Sequence, residues 1–213
     1  MPGSKESESP GSTYLDYKIW GEEYDGEVTV LLQFREGGMY GNTRLLLPPA
    51  EVLLDGKALP ADSSRMTGAF YETRSTIDDF QGTHQIVFRD SDGREYTESF
   101  QFARITLKNE LPQQVERNDL LLEMEGLAEV DYVRLLLTDT AFDSEGINRL
   151  DTVRNGRMLI SKQDFARLVS GPVHMELIRD LEKTVKERPE AGGKIAISYG
   201  LSREFVLVDS LLP

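Results

Sequence analysis

The sequence contains no cysteine, two histidines and one tryptophan. The lack of cysteine excludes disulfides, thiolate metal sites and thiol nucleophiles. His84 and His174 are far apart in the sequence and lie in segments predicted as strands, so a zinc site would need several carboxylates as well. We therefore interpret both histidines as ordinary strand residues.

Positive charge and long apolar runs are also scarce. The chain has 24 Lys and Arg residues against 37 Asp and Glu residues, which gives a net charge of −13. A nucleic-acid-binding protein needs a basic surface to neutralise phosphates, so nucleic acid is not a predicted partner. No apolar stretch approaches the ~20 residues of a membrane-spanning helix, and the N-terminus lacks a charged-then-hydrophobic signal pattern. We expect no membrane span.

What the sequence does contain is a repeated alternation of apolar and polar residues. Segment 27–35 carries one apolar residue at every second position and is typical of a half-buried strand. Segments 85–89 and 94–102 alternate in the same way, and the Asp-Ser-Asp-Gly sequence between them is typical of a hairpin turn. Together with the neighbouring segments this gives about seven short strands in the first hundred residues, the number typical of an immunoglobulin-like sandwich.

The pattern breaks twice. Residues 1–12 have nothing to bury and are predicted to be a disordered leader. Residues 110–118 interrupt the strand rhythm with polar residues and a proline, and are predicted to be a linker. We therefore predict an immunoglobulin-like β-sandwich domain at 13–109 and a second β-sandwich domain at 119–213.

The second domain contains the one strong helix signal. Ser161 is a predicted N-cap, with Asp164 at the third helical position. Phe165 and Leu168 begin an apolar stripe, and Gly171 is predicted to end the helix. The following segment, 172–179, fits either a strand or a helix. We favour a strand, followed by a mobile polar turn at 181–193. The predicted fold class is all-β, with two immunoglobulin-like sandwiches in tandem and one short helix in the second.

One residue departs from the strand pattern. Glu98 shares a face with Tyr96, Phe100 and Phe102, where an apolar residue is expected. A β-bulge or an open sheet edge would explain it. A functional buried carboxylate is the alternative.

Two acidic loops are candidate cation sites. Asp90 and Asp92 resemble the opening of a calcium loop but lack a distal bidentate glutamate, so we interpret them as turn residues. The loop 139–145 follows a predicted strand and carries Asp139, Asp143 and Glu145, whose carboxylates could bind calcium. The alternative for this loop is a solvated surface in a chain that is acidic throughout.

Signals for catalysis are weak. We find no Gly-x-Ser-x-Gly elbow, no histidine placed as a base and no phosphate-binding glycine loop. A carboxylate-based hydrolase would need acidic residues brought together from distant segments. Several aromatic residues near the start of the chain could form a platform for a carbohydrate or peptide, although strand aromatics are more often core residues: Tyr14, Tyr17, Trp20, Tyr24 and Tyr40.

The segments Ala50–Leu59 and Gly82–Tyr96, behind a leader rich in Ser and Glu, resemble the immunoglobulin-like domains of Bacteroidota-type envelope lipoproteins. The resemblance implies a location in the periplasm or on the cell surface, and no catalytic or binding residue comes with it. Such lipoproteins carry a lipidated cysteine directly before a polar leader like Lys5–Ser9, and this cysteine is missing here. We therefore expect either that an export signal with a lipid anchor lay upstream of Met1, or that the protein is cytoplasmic.

These observations predict a non-enzymatic binding or structural module of the cell envelope, with a protein or glycan partner. The runner-up is a calcium-dependent binding module that uses Asp139, Asp143 and Glu145, and the third hypothesis is the carboxylate-based hydrolase. A cofactor other than calcium is not predicted.

Overall fold

The computed structural model describes residues 13–209. The predicted disordered leader, residues 1–12, lies outside the described residues. The described chain forms two compact units. Unit 1 comprises the residues up to Trp20 together with Val28–Phe102 and Leu181–Ile197, and unit 2 comprises Gly21–Glu27, Ala103–Asp180 and the residues from Ser198 onward.

These units assign residues 21–27, 103–109 and 181–197 differently from the domains that the sequence predicts. The predicted boundaries, 13–109 and 119–213 with a linker at 110–118, stay a prediction. Four strands, introduced below, contribute residues to both units, so each unit contains segments from distant parts of the chain.

Unit 1 is built on eight strands in two sheets. The strands are β1 (Thr13–Glu22), β2 (Glu27–Glu36), β3 (Glu51–Leu54), β4 (Lys57–Ala58), β5 (Ala61–Ser64), β6 (Gly68–Thr76), β7 (Gly82–Arg89) and β8 (Glu95–Phe102). One sheet has the order β5-β6-β2-β1 and the other β4-β3-β7-β8. In an immunoglobulin sandwich the first, second, fifth and fourth strands share one sheet, while the third, sixth and seventh share the other. Unit 1 has this arrangement, with β4 added beside the third strand.

The core of unit 1 lies between these two sheets. The four apolar residues predicted to share one face of β2 are all buried: Val28, Val30, Leu32 and Phe34. The Phe34 ring lies 4.8 Å from the ring of Phe88 on β7 and 5.5 Å from that of Tyr71 on β6. The opposite face of β2 is less open than predicted, because Gln33 is also buried and donates a hydrogen bond to the carbonyl oxygen of Thr67 (2.8 Å).

Unit 2 has a similar arrangement, with one strand fewer in the first sheet and one parallel strand added to the second. Its elements are β9 (Thr106–Leu107), β10 (Gln114–Glu116), β11 (Leu120–Glu125), β12 (Val130–Thr138), β13 (Ile147–Arg154), β14 (Arg157–Ile160), α1 (Lys162–Phe165), β15 (Gly171–Thr184) and β16 (Gly193–Val208). The strand order runs β9-β11-β14 on one side and β13-β12-β15-β16 on the other, with β10 parallel to β16. A single residue pair, Arg154 with Arg157, joins β13 to β14. The residues of β15 and β16 between Leu181 and Ile197 belong to unit 1.

The helix begins as predicted. Ser161 is the N-cap, and its side chain and that of Asp164 form a reciprocal capping box. The helix ends sooner than the apolar stripe suggests, at Phe165, whose ring is fully buried and lies 6.2 Å from the ring of Phe205. The predicted strand at 172–179 is confirmed as part of β15. The predicted fold class is thus confirmed: an all-β protein with two immunoglobulin-like sandwiches and one short helix in the second.

Two tight turns, Asp55-Gly56 and Asn155-Gly156, allow a matched test of the fold. All four residues have positive φ, with Gly56 at 76° and Gly156 at 72°. A Cβ atom on Gly156 would lie 2.2 Å from the carbonyl oxygen of Met124, whereas one on Gly56 would meet nothing within 4 Å. We expect Gly156→Ala to lower the free energy of unfolding by about 2 kcal/mol and Gly56→Ala by about 1 kcal/mol. Urea denaturation measures both values, and equal losses would contradict the close packing at Gly156.

Candidate functional site

Three loops of unit 1 come together at one end of its sandwich. We call this surface the loop end and define it as residues 37–50, 65–67 and 90–94, which connect β2 to β3, β5 to β6 and β7 to β8. In an immunoglobulin-like sandwich these connections lie at the same end. The Thr43 hydroxyl accepts a hydrogen bond from the N–H of Ala69 (2.8 Å) and lies 3.4 Å from the carbonyl oxygen of Thr67. These contacts hold the first two loops against each other.

The loop end exposes five large apolar side chains. Met66 is 96% exposed, Tyr40 92% and Leu47 74%, and Met39 and Leu45 are also exposed. Single exposed apolar residues are common on any protein, but a group on neighbouring loops is typical of an interaction surface. Tyrosine and methionine suit this purpose because the first offers a rigid amphipathic ring and the second adapts to irregular surfaces.

A depression of about 300 Å³ lies within the loop end. Phe88, Leu45 and Leu47 give it apolar walls, while Glu36 and Asp90 add carboxylates. Its volume is at the lower limit of small-molecule sites. The depression therefore suits one side chain or one sugar ring of a larger partner.

The Asp-Gly hairpin turn supports the third loop from inside. One carboxylate oxygen of Asp90 accepts hydrogen bonds from the N–H groups of Asp92 and Arg94, both at 2.9 Å, and Asp90 is only 5% exposed. The carboxylate of Asp90 thus stabilises the turn, which is the role that the sequence predicts for it.

The structure separates the five aromatic residues that are concentrated near the start of the chain. Tyr17 is a core residue with 1% exposure, whereas Tyr40 lies on the loop end. Tyr24 is 93% exposed but belongs to unit 2. Of the five residues, Tyr40 alone belongs to the loop end.

The predicted calcium ligands differ in their surroundings. Asp139 is buried and accepts hydrogen bonds from the N–H groups of Val169 (2.8 Å) and Ala141 (3.0 Å) and from the Ser144 hydroxyl (3.0 Å). Burial raises the pKa of Asp139, but these three hydrogen bonds outweigh it, and the pKa lies below its ordinary value. Asp143 and Glu145 are exposed. Within residues 13–209 no group of three or more acidic or histidine side chains is arranged to hold a metal ion. A calcium role for the loop 139–145 stays a prediction.

Both histidines lie in strands, as predicted. His84 stacks on the Phe80 ring at 3.9 Å, and its Nδ1 lies 2.7 Å from a carboxylate oxygen of Asp55 in the neighbouring turn. His174 is half-exposed and pairs with Glu176 at 3.0 Å. Near this pair, burial and then the negative charges of Glu176 and Asp25 raise the pKa of Glu22. The proximity of Glu22 and Glu176 in unit 2 had no signal in the sequence, because the two residues come from different strands, β1 and β15.

Glu98 is the buried carboxylate that its position in the strand pattern indicated. The ladder of β7 and β8 pairs every residue from Gly82 with Phe102 to Arg89 with Glu95, so the expected bulge is wrong. The expected edge is confirmed, since β8 is the last strand of its sheet. The Glu98 side chain, 2% exposed, lies 2.6 Å from the Lys183 ammonium and accepts a 2.6 Å hydrogen bond from the N–H of Lys186.

The expected mobile turn at 181–193 is shorter and better anchored than predicted. Its first residues continue β15 to Thr184, and Val185 is fully buried. Glu187 accepts a hydrogen bond from the N–H of Thr97 at 3.0 Å, next to Glu98. The segment therefore covers part of the open edge of β8 within unit 1.

Within the described residues, no helix has the length and apolarity that a membrane span requires. No family model matches the chain, and no curated protein is similar to it in sequence. Among solved structures, the chain is similar to a 1.5-MDa bacterial ice-binding adhesin, at 13% identity over 96% of this chain and 67% of that chain, with a TM-score of 0.27. It is also similar to the IG1+IG2 segment of DIP-gamma, at 9% identity over 87% of this chain and 94% of that chain, with a TM-score of 0.26.

A third similar structure is the Bacteroides ovatus protein SGBP-B of a mixed-linkage glucan utilization locus, in complex with a heptasaccharide. Its identity is 10% over 86% of this chain and 53% of that chain, with a TM-score of 0.23. Likenesses at TM-scores this low assign neither a fold nor a function. The immunoglobulin-like arrangement of this chain follows instead from its own strand order.

Proposed function

We propose that this protein is a non-enzymatic binding module of the cell envelope, and that the loop end of unit 1 binds a protein or glycan partner. The observation that carries the proposal is the group of exposed apolar side chains on two neighbouring loops, 37–50 and 65–67, led by Tyr40 and Met66. Exposing such side chains to water has a cost that a partner removes by covering them.

The loops are well supported for this role. Asp90 ties down the hairpin turn, Thr43 joins the other two loops, and the Tyr71 hydroxyl accepts a hydrogen bond from the N–H of Leu46 at 2.8 Å. A surface that is held in place before binding loses less conformational entropy when the partner arrives. Sandwich domains of this type commonly use the loops at one end for recognition.

The cell-envelope location rests on the resemblance of segments 50–59 and 82–96 to envelope lipoproteins. A lipid anchor upstream of Met1 is part of the same proposal. Fractionation of the source cells tests the location: we expect the native gene product in the envelope fraction, and recovery in the cytoplasmic fraction would contradict it.

Binding by the loop end is tested with immobilised envelope fractions, one of polysaccharide and one of protein. We expect the chain to bind one of them, and the double variant Tyr40→Ser/Met66→Ser to bind at least about tenfold more weakly, because tyrosine is among the residues that carry most of an interface's energy and methionine adds adaptable apolar contact.

The matched control is Phe142→Ser, which removes an equally exposed aromatic side chain from unit 2. Binding by this control should equal that of the unmodified chain. An equal loss in the control, or unchanged binding by the double variant, would assign binding to another surface. Melting temperatures of all variants should stay within a few degrees, since the replaced side chains are exposed.

A further inference from the structure

Strand β13 of unit 2 has one paired edge and one open edge. All eight of its residues pair with β12, from Ile147 with Leu137 to Arg154 with Val130. On the other edge, the only strand pairing within residues 13–209 is Arg154 with Arg157. In a strand, every second residue turns its N–H and C=O groups toward the same neighbour, so residues 147–153 present backbone donors and acceptors along this open edge.

A groove runs along the open edge, because β13 and β14 separate beyond their single pair. It has a volume of about 380 Å³ and is lined by residues of both strands. Thr152, Met158 and Leu159 contribute to its walls. At one point the Arg149 side chain crosses the groove and donates a hydrogen bond to the carbonyl oxygen of Leu159 (3.0 Å).

The groove is basic, although the chain as a whole is strongly acidic. Arg149, Arg154 and Arg157 line it with a single carboxylate, that of Asp151. Arg149 pairs with Asp151 and Asp164, and Arg157 pairs with Glu123. Arg154 is exposed and has no ion pair among the described residues. The unpaired positive charge of Arg154 at an open strand edge attracts a negatively charged segment.

The same charges argue against a second copy of the chain as the occupant. Two β13 edges would bring Arg149, Arg154 and Arg157 of each copy close to those of the other, and like charges on facing strands are destabilising. The inward-facing pair of Arg149 and Asp151 also protects the edge against unspecific pairing. The open edge of β13 therefore disfavours both a second copy of the chain and unspecific strand pairing.

We propose that the open edge of β13 binds an extended acidic polypeptide segment, which adds a strand to the sheet and places its carboxylates beside Arg154 and Arg157. In strand addition, backbone hydrogen bonds provide affinity and side-chain contacts provide specificity. This site lies in unit 2 and is independent of the loop end.

The test uses three synthetic octapeptides and the full chain labelled with ¹⁵N. The first peptide alternates Glu with Thr, the second has Lys in place of Glu, and the third is the first with every second backbone amide N-methylated. We expect the first peptide to shift the amide resonances of residues 147–153, and the other two to bind at least about tenfold more weakly, since one reverses the charge and the other removes the ladder hydrogen bonds.

A charge variant locates the site. Arg154→Glu should weaken the binding of the first peptide about tenfold, whereas the matched control Lys57→Glu, an exposed residue of unit 1, should leave it unchanged. Arg154→Glu should fold normally because the new carboxylate faces Arg157 across the turn. Absence of shifts at millimolar peptide, equal binding of the N-methylated peptide, or equal effects of the two variants would each overturn the proposal.

Discussion

Replacing Phe34 by alanine is expected to lower the free energy of unfolding by about 4 kcal/mol. Phe34 is fully buried, and its ring lies between the two sheets of unit 1, 4.8 Å from Phe88 and 5.5 Å from Tyr71. The truncation removes apolar contacts from both sheets and leaves a cavity that the two sheets cannot fully close. Urea denaturation followed by circular dichroism measures the loss.

Phe142→Ala is the matched control, because the same ring is removed from a fully exposed position. We expect it to change the free energy of unfolding by less than about 0.5 kcal/mol. Similar losses for Phe34→Ala and Phe142→Ala would contradict a sandwich whose two sheets meet at Phe34.

Replacing Glu98 by alanine is expected to cost about 2 kcal/mol, because the Lys186 N–H loses a charged acceptor and the exposed Lys183 ammonium loses its pair. Glu98 accepts the hydrogen bond of the Lys186 N–H and pairs with the Lys183 ammonium, both at 2.6 Å. Amide hydrogen exchange measures the local effect: the Lys186 amide should lose protection together with its neighbours in 183–187.

Glu98→Gln separates the two roles of this side chain. Its amide oxygen can still accept the hydrogen bond from Lys186, but the charge that faces Lys183 is gone, so we expect a smaller loss than for alanine. The Glu98→Ala variant could instead be as stable as the unmodified chain, with unchanged hydrogen exchange of the Lys186 amide. That result would show that the buried carboxylate does not hold segment 183–187 in place.

The sequence predicted those parts of the fold that depend on neighbouring residues. The alternation in β2 identified the face that carries Phe34, and the Ser161 and Asp164 pair marked the start of the helix. Burial of Gln33 could not be predicted, because it depends on the carbonyl of Thr67, a residue brought close only by the sheet.

The surroundings of Glu98 could not be predicted for the same reason, because its partners are far away in the sequence. Its position among Tyr96, Phe100 and Phe102 indicates an anomaly, and the open sheet edge that explains it is present at β8. The partner Lys186 is 88 residues away in sequence, in a segment predicted to be a mobile turn. Local patterns carry no information about which distant backbone N–H a carboxylate will meet.

The candidate site was only partly visible in the sequence. Tyr40 was one of five aromatic residues, and nothing local distinguished it from Tyr17, which is buried in the core. Nothing in the sequence pointed to Met66. Met66 belongs to the candidate site only because the turn between β5 and β6 lies beside the longer loop that contains Tyr40. A site made of loops appears only when the sandwich brings the loops together.

Site-specific photo-crosslinking in the source cells tests the central claim most directly. A photoreactive phenylalanine analogue is placed at Tyr40 in one variant and at Phe142 in another, so that two equally exposed positions are compared. If the loop end binds an envelope partner, the variant altered at Tyr40 forms one discrete adduct that the variant altered at Phe142 does not form. No adduct from Tyr40, or the same adducts from both positions, would contradict the proposed role of the loop end.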